Sequence, residues 1–264
     1  MPTEDPQEEI ATLKAALAHA EEALEAKEAA RQAFVSLVAH ELRVPMTSIK
    51  GYTDLLLKGI VGPVNKAQSD FLTTIRTNVE RMAKLLTNLS DINKIDGERL
   101  KLAFEPVPVA NAIKEVFAAL DPIAQEKAQT VTVRVSDALP PLWADRERFV
   151  QILRSVLENA VQYTPRGGTI TIEAQPVPKK PGQVLISVQD TGIGIPEEEQ
   201  ARIFEMFFRA SDEQTREIPG HGLSLHLSKR LAELQGGTIW FESERGSGST
   251  FYLRLPIAAS QLAA

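Results

Sequence analysis

Cysteine is absent from this chain of 264 residues, which excludes disulfides, thiolate metal sites and thiol redox chemistry at once. Histidine is scarce: His19, His40, His221 and His226 are the only four, and they form no metal-ligand spacing with Asp or Glu. Positive charge is the minority sign. With 29 Lys and Arg against 35 Asp and Glu, the net charge of −6 argues against a basic face for nucleic acid. No apolar run approaches the roughly 18–20 residues that span a bilayer, and no signal-peptide core follows Met1. The expectation for the chain as given is therefore a cytoplasmic location with no direct membrane span, any membrane sensor lying on another chain or outside the sequence given. The length leaves room for two domains.

What is abundant is helix-forming sequence. Residues 10–31 are almost entirely Ala, Glu, Lys, Leu, Gln and Arg. Ile10, Leu13, Leu17, Ala20, Leu24, Lys27, Arg31, Phe34 and Val38 follow an a/d heptad spacing, the pattern of a parallel two-stranded coiled coil. Lys27 and Arg31 weaken that seam. Residues 1–9, acidic and with two prolines, should fray. In the heptad frame His40 falls at a c position, facing solvent, with the Glu41 carboxylate beside it. Pro45, five residues on, should kink the helix just after the histidine. An exposed imidazole beside a carboxylate is a nucleophile with a base at hand; taken alone, it reads as an ordinary solvated surface histidine.

The first helix should run to about Leu57, and the Gly- and Pro-containing residues 58–64 read as a helix–helix loop. A second helix is expected from about Lys66 to Ile95, with Phe71, Ile75, Met82, Leu85, Leu89 and Ile92 on one stripe. Two antiparallel helices with such narrow apolar stripes cannot bury them alone, so a homodimeric four-helix bundle is expected.

Beyond about Phe104 the pattern becomes α/β. Helices are expected near residues 109–124, 146–162 (opened by Asp145) and 223–234. Strands are expected near 130–135, 169–174, 184–189, 238–243 and 250–255, with a proline-rich turn at 176–181 and a glycine-rich turn at 244–248. This is a layer of helices on a mixed sheet, followed after Pro256 by a loose tail.

Several blocks carry a resemblance. His40-Glu41-Leu42-Arg43-Val44-Pro45 resembles the phospho-accepting H box of bacterial sensor histidine kinases. Leu157-Glu158-Asn159-Ala160 with Tyr163-Thr164-Pro165 resembles their N box, and Asp190-Thr191-Gly192-Ile193-Gly194-Ile195-Pro196 their G1 box. Ile203 to Arg209, reading Ile-Phe-Glu-Met-Phe-Phe-Arg, resembles the F box, and Gly220-His221-Gly222-Leu223-Ser224-Leu225 the G2 box. Gly246-Ser247-Gly248-Ser249-Thr250-Phe251 resembles the last glycine motif, read as mainly structural. The resemblance spans nearly all of residues 34–256.

It implies a fold: a helical hairpin forming a dimeric four-helix bundle with an N-terminal coiled coil, followed by an α/β sandwich ATP-binding domain. The divisions are residues 1–33 (coiled coil), 34–100 (dimerisation and histidine phosphotransfer), 104–257 (catalytic ATP-binding) and 258–264 (tail). It implies a function: autophosphorylation of His40 from Mg-ATP and transfer of the phosphoryl group to an aspartate of a response regulator. Glu41 would be the general base and Arg209 would stabilise charge on the transferred group. Asn159 would bind magnesium. ATP would be held by Asn159, Tyr163, Asp190, Gly192, Gly194, Phe207, Gly220, Gly222, Leu223, Ser224 and Thr250, under a polar lid at about residues 210–219. The implied partners are a second copy of the chain, a response-regulator receiver domain and a separate sensor.

The chain departs from the family pattern at four places. Val44 stands where Thr or Asn is usual, Ser155 where Asn is usual, Gln162 where a basic residue is usual, and Ser224 where Gly is usual. These departures keep a second class open, a degenerate kinase acting as a dimeric interaction module. A third class, an ATPase related to gyrases or chaperones, is opposed by the complete H box.

Overall fold

The computed structural model describes residues 6–136, 139–177, 182–210 and 220–258. The expected lid at 210–219, the turn at 176–181 and the end of the tail thus fall largely outside the described residues. The chain divides into two units, residues 1–100 and 101–264.

The first unit is a helical hairpin. Helix α1 (Pro6–Leu57) passes Pro45 without a break, and the hydroxyl of Thr47 donates to the Arg43 carbonyl at 2.9 Å on the next turn. Helix α2 (Lys66–Asp96) starts at a capping box: the Asn65 side chain accepts from the Gln68 N–H, and the Gln68 side chain accepts from the Asn65 N–H. Ala39 and Met46 of α1 pack with Val79 and Leu86 of α2. At the other end of the hairpin the Asn93 amide donates to the Gln32 carbonyl at 2.7 Å and to the Ser36 hydroxyl at 2.9 Å. Lys50 pairs with Glu80. The α2 stripe is only partly used within one chain: Ile92 is buried, but Phe71 is 70% exposed and Ile75 and Met82 are also open.

The second unit runs β1 (Phe104–Val107), α3 (Val109–Glu126), β2 (Thr130–Val135), β3 (Leu142–Asp145), α4 (Arg146–Tyr163), β4 (Thr169–Pro176), β5 (Gln183–Asp190), α5 (Glu197–Gln200), α6 (Ser224–Leu234), β6 (Thr238–Glu244) and β7 (Gly248–Pro256). The main sheet has the order β2-β4-β5-β7-β6, with β2 and β4 parallel and the other pairs antiparallel. Alternate residues of the strands (Ile170 and Ile172; Val184, Ile186 and Val188; Leu253 and Leu255) are buried in one core with Ile113 of α3, Phe149, Ile152, Leu153 and Leu157 of α4, and Leu227 and Leu231 of α6. The opposite face is polar and aromatic, with Trp240 stacked on Tyr252. A two-layer α/β sandwich results, as expected.

Two details differ from the sequence expectation. A second small sheet, β1 antiparallel to β3, was not anticipated. The segment after Pro256 begins ordered: Ile257 bridges to Leu142, and Ala258 is buried, its N–H donating to the Pro141 carbonyl. Backbone pairing, not side-chain pattern, holds it there.

Candidate nucleotide site and phospho-acceptor

The site in the second unit is built around the end of β5. Asp190 is buried there. Its Oδ1 accepts the N–H of Gly192 at 2.8 Å and of Ser249 at 3.3 Å. Burial pushes its carboxyl up to about 6, the two N–H donors pulling the other way. A buried carboxylate held by one oxygen keeps the other to accept a donor, the arrangement that suits an exocyclic amine.

The glycines around Asp190 are there for close approach. A Cβ at Gly192 would lie 2.7 Å from the Tyr163 carbonyl oxygen, and one at Gly194, where φ is +67°, would overlap the Glu244 carbonyl. A Cβ at Gly248, with φ +98°, would overlap the Asp190 carbonyl, which makes the last glycine motif a packing requirement. Ser243 fastens the far end of the loop. Its hydroxyl accepts the Ile195 N–H at 2.8 Å and donates to the Gly248 carbonyl at 3.0 Å. Ser243 carries no sequence signal that marks it as part of the site, whereas Ser249 lies within the last glycine motif. Thr250 is half-buried, opposite Gln189 on β5 and Glu242 on β6.

Helix α4 brings the N-box residues. Asp145 caps it, accepting from the Arg148 N–H at 3.0 Å. Asn159 is half-buried, and Ser155, one turn before it on the same face, is buried with its hydroxyl lacking a hydrogen-bond partner. Tyr163 ends the helix. Burial raises its phenol pKa, and the Arg209 guanidinium opposes that rise, so the F box and N box meet electrostatically. Gln162 is exposed.

The F and G2 boxes clamp each other. Gly222, at φ +66°, accepts the Phe207 N–H at 2.9 Å, and Phe207 is itself left-handed at φ +62° and 62% exposed. The His226 Nδ1 lies 2.9 Å from the Phe204 carbonyl, tying α6 to the same segment. Leu223 is buried and Ser224 opens α6. Gly220 and His221 are exposed, and a Cβ at Gly220 would meet nothing.

In the first unit His40 and Glu41 are both exposed while the adjacent Ala39 is buried against α2. Val44, one turn beyond His40 on the same face, is 59% exposed.

Magnesium takes hard oxygen ligands and keeps waters and phosphate oxygens. No cluster of three or more His, Cys, Asp or Glu able to hold a metal occurs among the described residues. The Asn159 amide and the orphaned Ser155 hydroxyl are neutral oxygen donors on one helix face, which fits an ion that arrives with a phosphate chain. No described helix is long and apolar enough to cross a membrane.

Comparison with known proteins agrees with both units. The His Kinase A (phospho-acceptor) domain family matches residues 30–98, and the histidine kinase-, DNA gyrase B- and HSP90-like ATPase family matches residues 144–259. An uncharacterized sensor-like histidine kinase of Rhizobium meliloti (strain 1021) is 34% identical over 244 residues, covering 92% of this chain and 45% of that protein. The signal transduction histidine-protein kinase BarA of Escherichia coli (strain K12) is 31% identical over 234 residues, 87% of this chain and 25% of BarA. The crystal structure of full-length ShkA in complex with AMPPNP superposes with a TM-score of 0.67 at 29% identity, over 85% of this chain and 45% of ShkA. The chain thus spans under half the length of these relatives. Through its phospho-acceptor hairpin and its ATPase-type α/β unit, it belongs to the sensor histidine kinase family.

Proposed function

We propose that this chain is the catalytic core of a sensor histidine kinase, which phosphorylates itself on His40 from Mg-ATP and passes the phosphoryl group to an aspartate of a response regulator. The observation that carries the reading is the glycine-framed cradle around the buried Asp190, in a chain whose other unit presents an exposed histidine.

Asp190 accepts the exocyclic amine of adenine on the carboxylate oxygen that Gly192 and Ser249 leave open. Gly192 and Gly194 let the backbone meet the ring. Asn159 and the Ser155 hydroxyl would hold the magnesium, which would neutralise phosphate charge when bound. The start of α6, at the positive end of the helix dipole, would face the triphosphate. An imidazole nitrogen of His40 forms the new P–N bond as the bond to the ADP oxygen breaks, and Glu41 takes the imidazole proton. Arg209 supplies positive charge to the group in transfer. The exposed stripe at Phe71, Ile75 and Met82 is buried by a second copy of the chain.

The test is incubation with γ-labelled ATP and magnesium. Acid-labile, base-stable label should enter the protein, and Asp190→Asn should prevent it. A chain that takes up no label with bound nucleotide demonstrated would refute the kinase reading. One observation favours the second reading, a non-catalytic dimeric interaction module. Ser155 stands where the family pattern has Asn, so this turn of α4 offers a metal a shorter side chain than is usual.

A further inference from the structure

The C-terminal turn of α4 offers carbonyls that need partners, and an unusual set supplies them. The Thr164 N–H closes on the Ala160 carbonyl at 3.1 Å, the last bond the helix makes for itself. The Lys127 ammonium then donates to three carbonyls at once: Val161 at 2.7 Å, Gln162 at 2.9 Å and Thr164 at 2.7 Å. The Gln129 amide adds bonds to Val161 at 3.0 Å and Thr164 at 2.7 Å. The remaining carbonyl, that of Tyr163, receives the Ile193 N–H at 3.4 Å from the loop that follows Asp190.

Lys127 is aimed there by its own backbone. Helix α3 ends in a Schellman motif, with the Gln129 N–H donating to the Ala124 carbonyl at 2.9 Å and Ala128 left-handed at φ +50°. The reverse contacts close the joint: the Lys127 carbonyl accepts the Gly167 N–H at 2.9 Å, and Arg166 donates to the Glu126 carbonyl at 2.7 Å.

The consequence lies in what rests on the fixed turn. Asn159 is one turn earlier on α4. The Gly192 backbone sits against the Tyr163 carbonyl so tightly that a Cβ there would come within 2.7 Å of it. A displaced Tyr163 carbonyl moves Gly192, and with it the N–H that holds Asp190. We infer that Lys127 is a positioning residue for the nucleotide site, fixing the end of α4 so that Asn159 and the Asp190–Gly192 loop keep their spacing. It need not touch nucleotide. The inference rests on the ATP-site reading above.

A lysine that merely caps a helix would lower stability when removed and leave affinity alone. The full chain carrying Lys127→Met, which keeps the apolar stem, and Lys127→Arg, which keeps a cationic donor, separates the two. Binding of a fluorescent ATP analogue and the KM and kcat of self-phosphorylation are measured well below each variant's Tm. Lys127→Met should weaken binding and raise KM for ATP about tenfold, with kcat within about twofold, and Lys127→Arg should recover most of the loss. Unchanged affinity in Lys127→Met with a lowered Tm overturns the inference. If Lys127→Met does not fold, Gln129→Leu carries the test, with about threefold weaker binding expected and unchanged affinity overturning the inference. Asp190→Asn separates the two claims. Native-like binding in Asp190→Asn refutes the site reading itself; loss there with native binding in Lys127→Met refutes the positioning role alone.

Discussion

Gly222 and Phe207 are joined backbone to backbone: the Phe207 N–H donates to the Gly222 carbonyl at 2.9 Å, and both residues are left-handed. A Cβ on Gly222 would lie 2.6 Å from the Phe207 carbonyl carbon and would overlap the Phe208 carbonyl oxygen. Gly222→Ala should therefore cost about 1–3 kcal/mol in stability and separate the F and G2 boxes. At Gly220, where an added Cβ meets nothing, alanine should be tolerated. Thermal unfolding with nucleotide titration of both variants checks the contrast, and equal behaviour would show that the clamp is unimportant.

Asp190 is costly to the empty protein. Its carboxyl, raised from 3.8 to about 6 by burial, holds its proton more tightly folded than unfolded. This group's contribution to stability therefore rises as pH falls from about 6 towards 3.8, and its carboxylate destabilises the fold above pH 6 by roughly 2–3 kcal/mol. Asp190→Asn should stabilise the nucleotide-free protein at neutral pH while turning an N–H₂ towards the adenine amine and abolishing binding. Denaturant titration at pH 7 should give a higher midpoint for the variant. A lower midpoint would show that the carboxylate is structurally required.

Val44 bears on a different step. The family resemblance implies that a hydroxyl or amide here orients the water that hydrolyses the regulator's phospho-aspartate, and an isopropyl group offers neither donor nor acceptor. Thr is nearly isosteric with Val, and the 59% exposure of Val44 leaves little packing to disturb. Val44→Thr should raise decay of phospho-regulator severalfold with self-phosphorylation unchanged. Brisk decay already present with the native chain would contradict this.

The helices and the central strands were legible because their periodicities are long and unbroken, as in α2 with its stripe and β4 with alternate buried residues. The β1–β3 pair was not. Each strand has four residues, and three of the four in β1 are exposed while three of the four in β3 are buried, runs too short for a period to show. Its pairing depends on non-local contacts, among them Asp145 accepting the Ala103 N–H at 2.9 Å. The motif glycines pointed to the cradle around Asp190. The left-handed Phe207 and Ala128 could not be read, since neither residue type signals that conformation. Lys127 likewise looks like any charged residue at a helix end until its three carbonyl partners, 34 to 37 positions away, are seen.

The central claim is that His40 accepts phosphate through a site built on Asp190, and the most direct measurement is localisation of phosphate. The native chain, His40→Gln and Asn159→Asp are incubated with Mg-ATP, digested at alkaline pH and mapped by mass spectrometry. Phosphate on His40 of the native chain is predicted, with none on His40→Gln despite intact folding and nucleotide binding, and none on Asn159→Asp. Phosphate retained at full stoichiometry by His40→Gln would contradict the account.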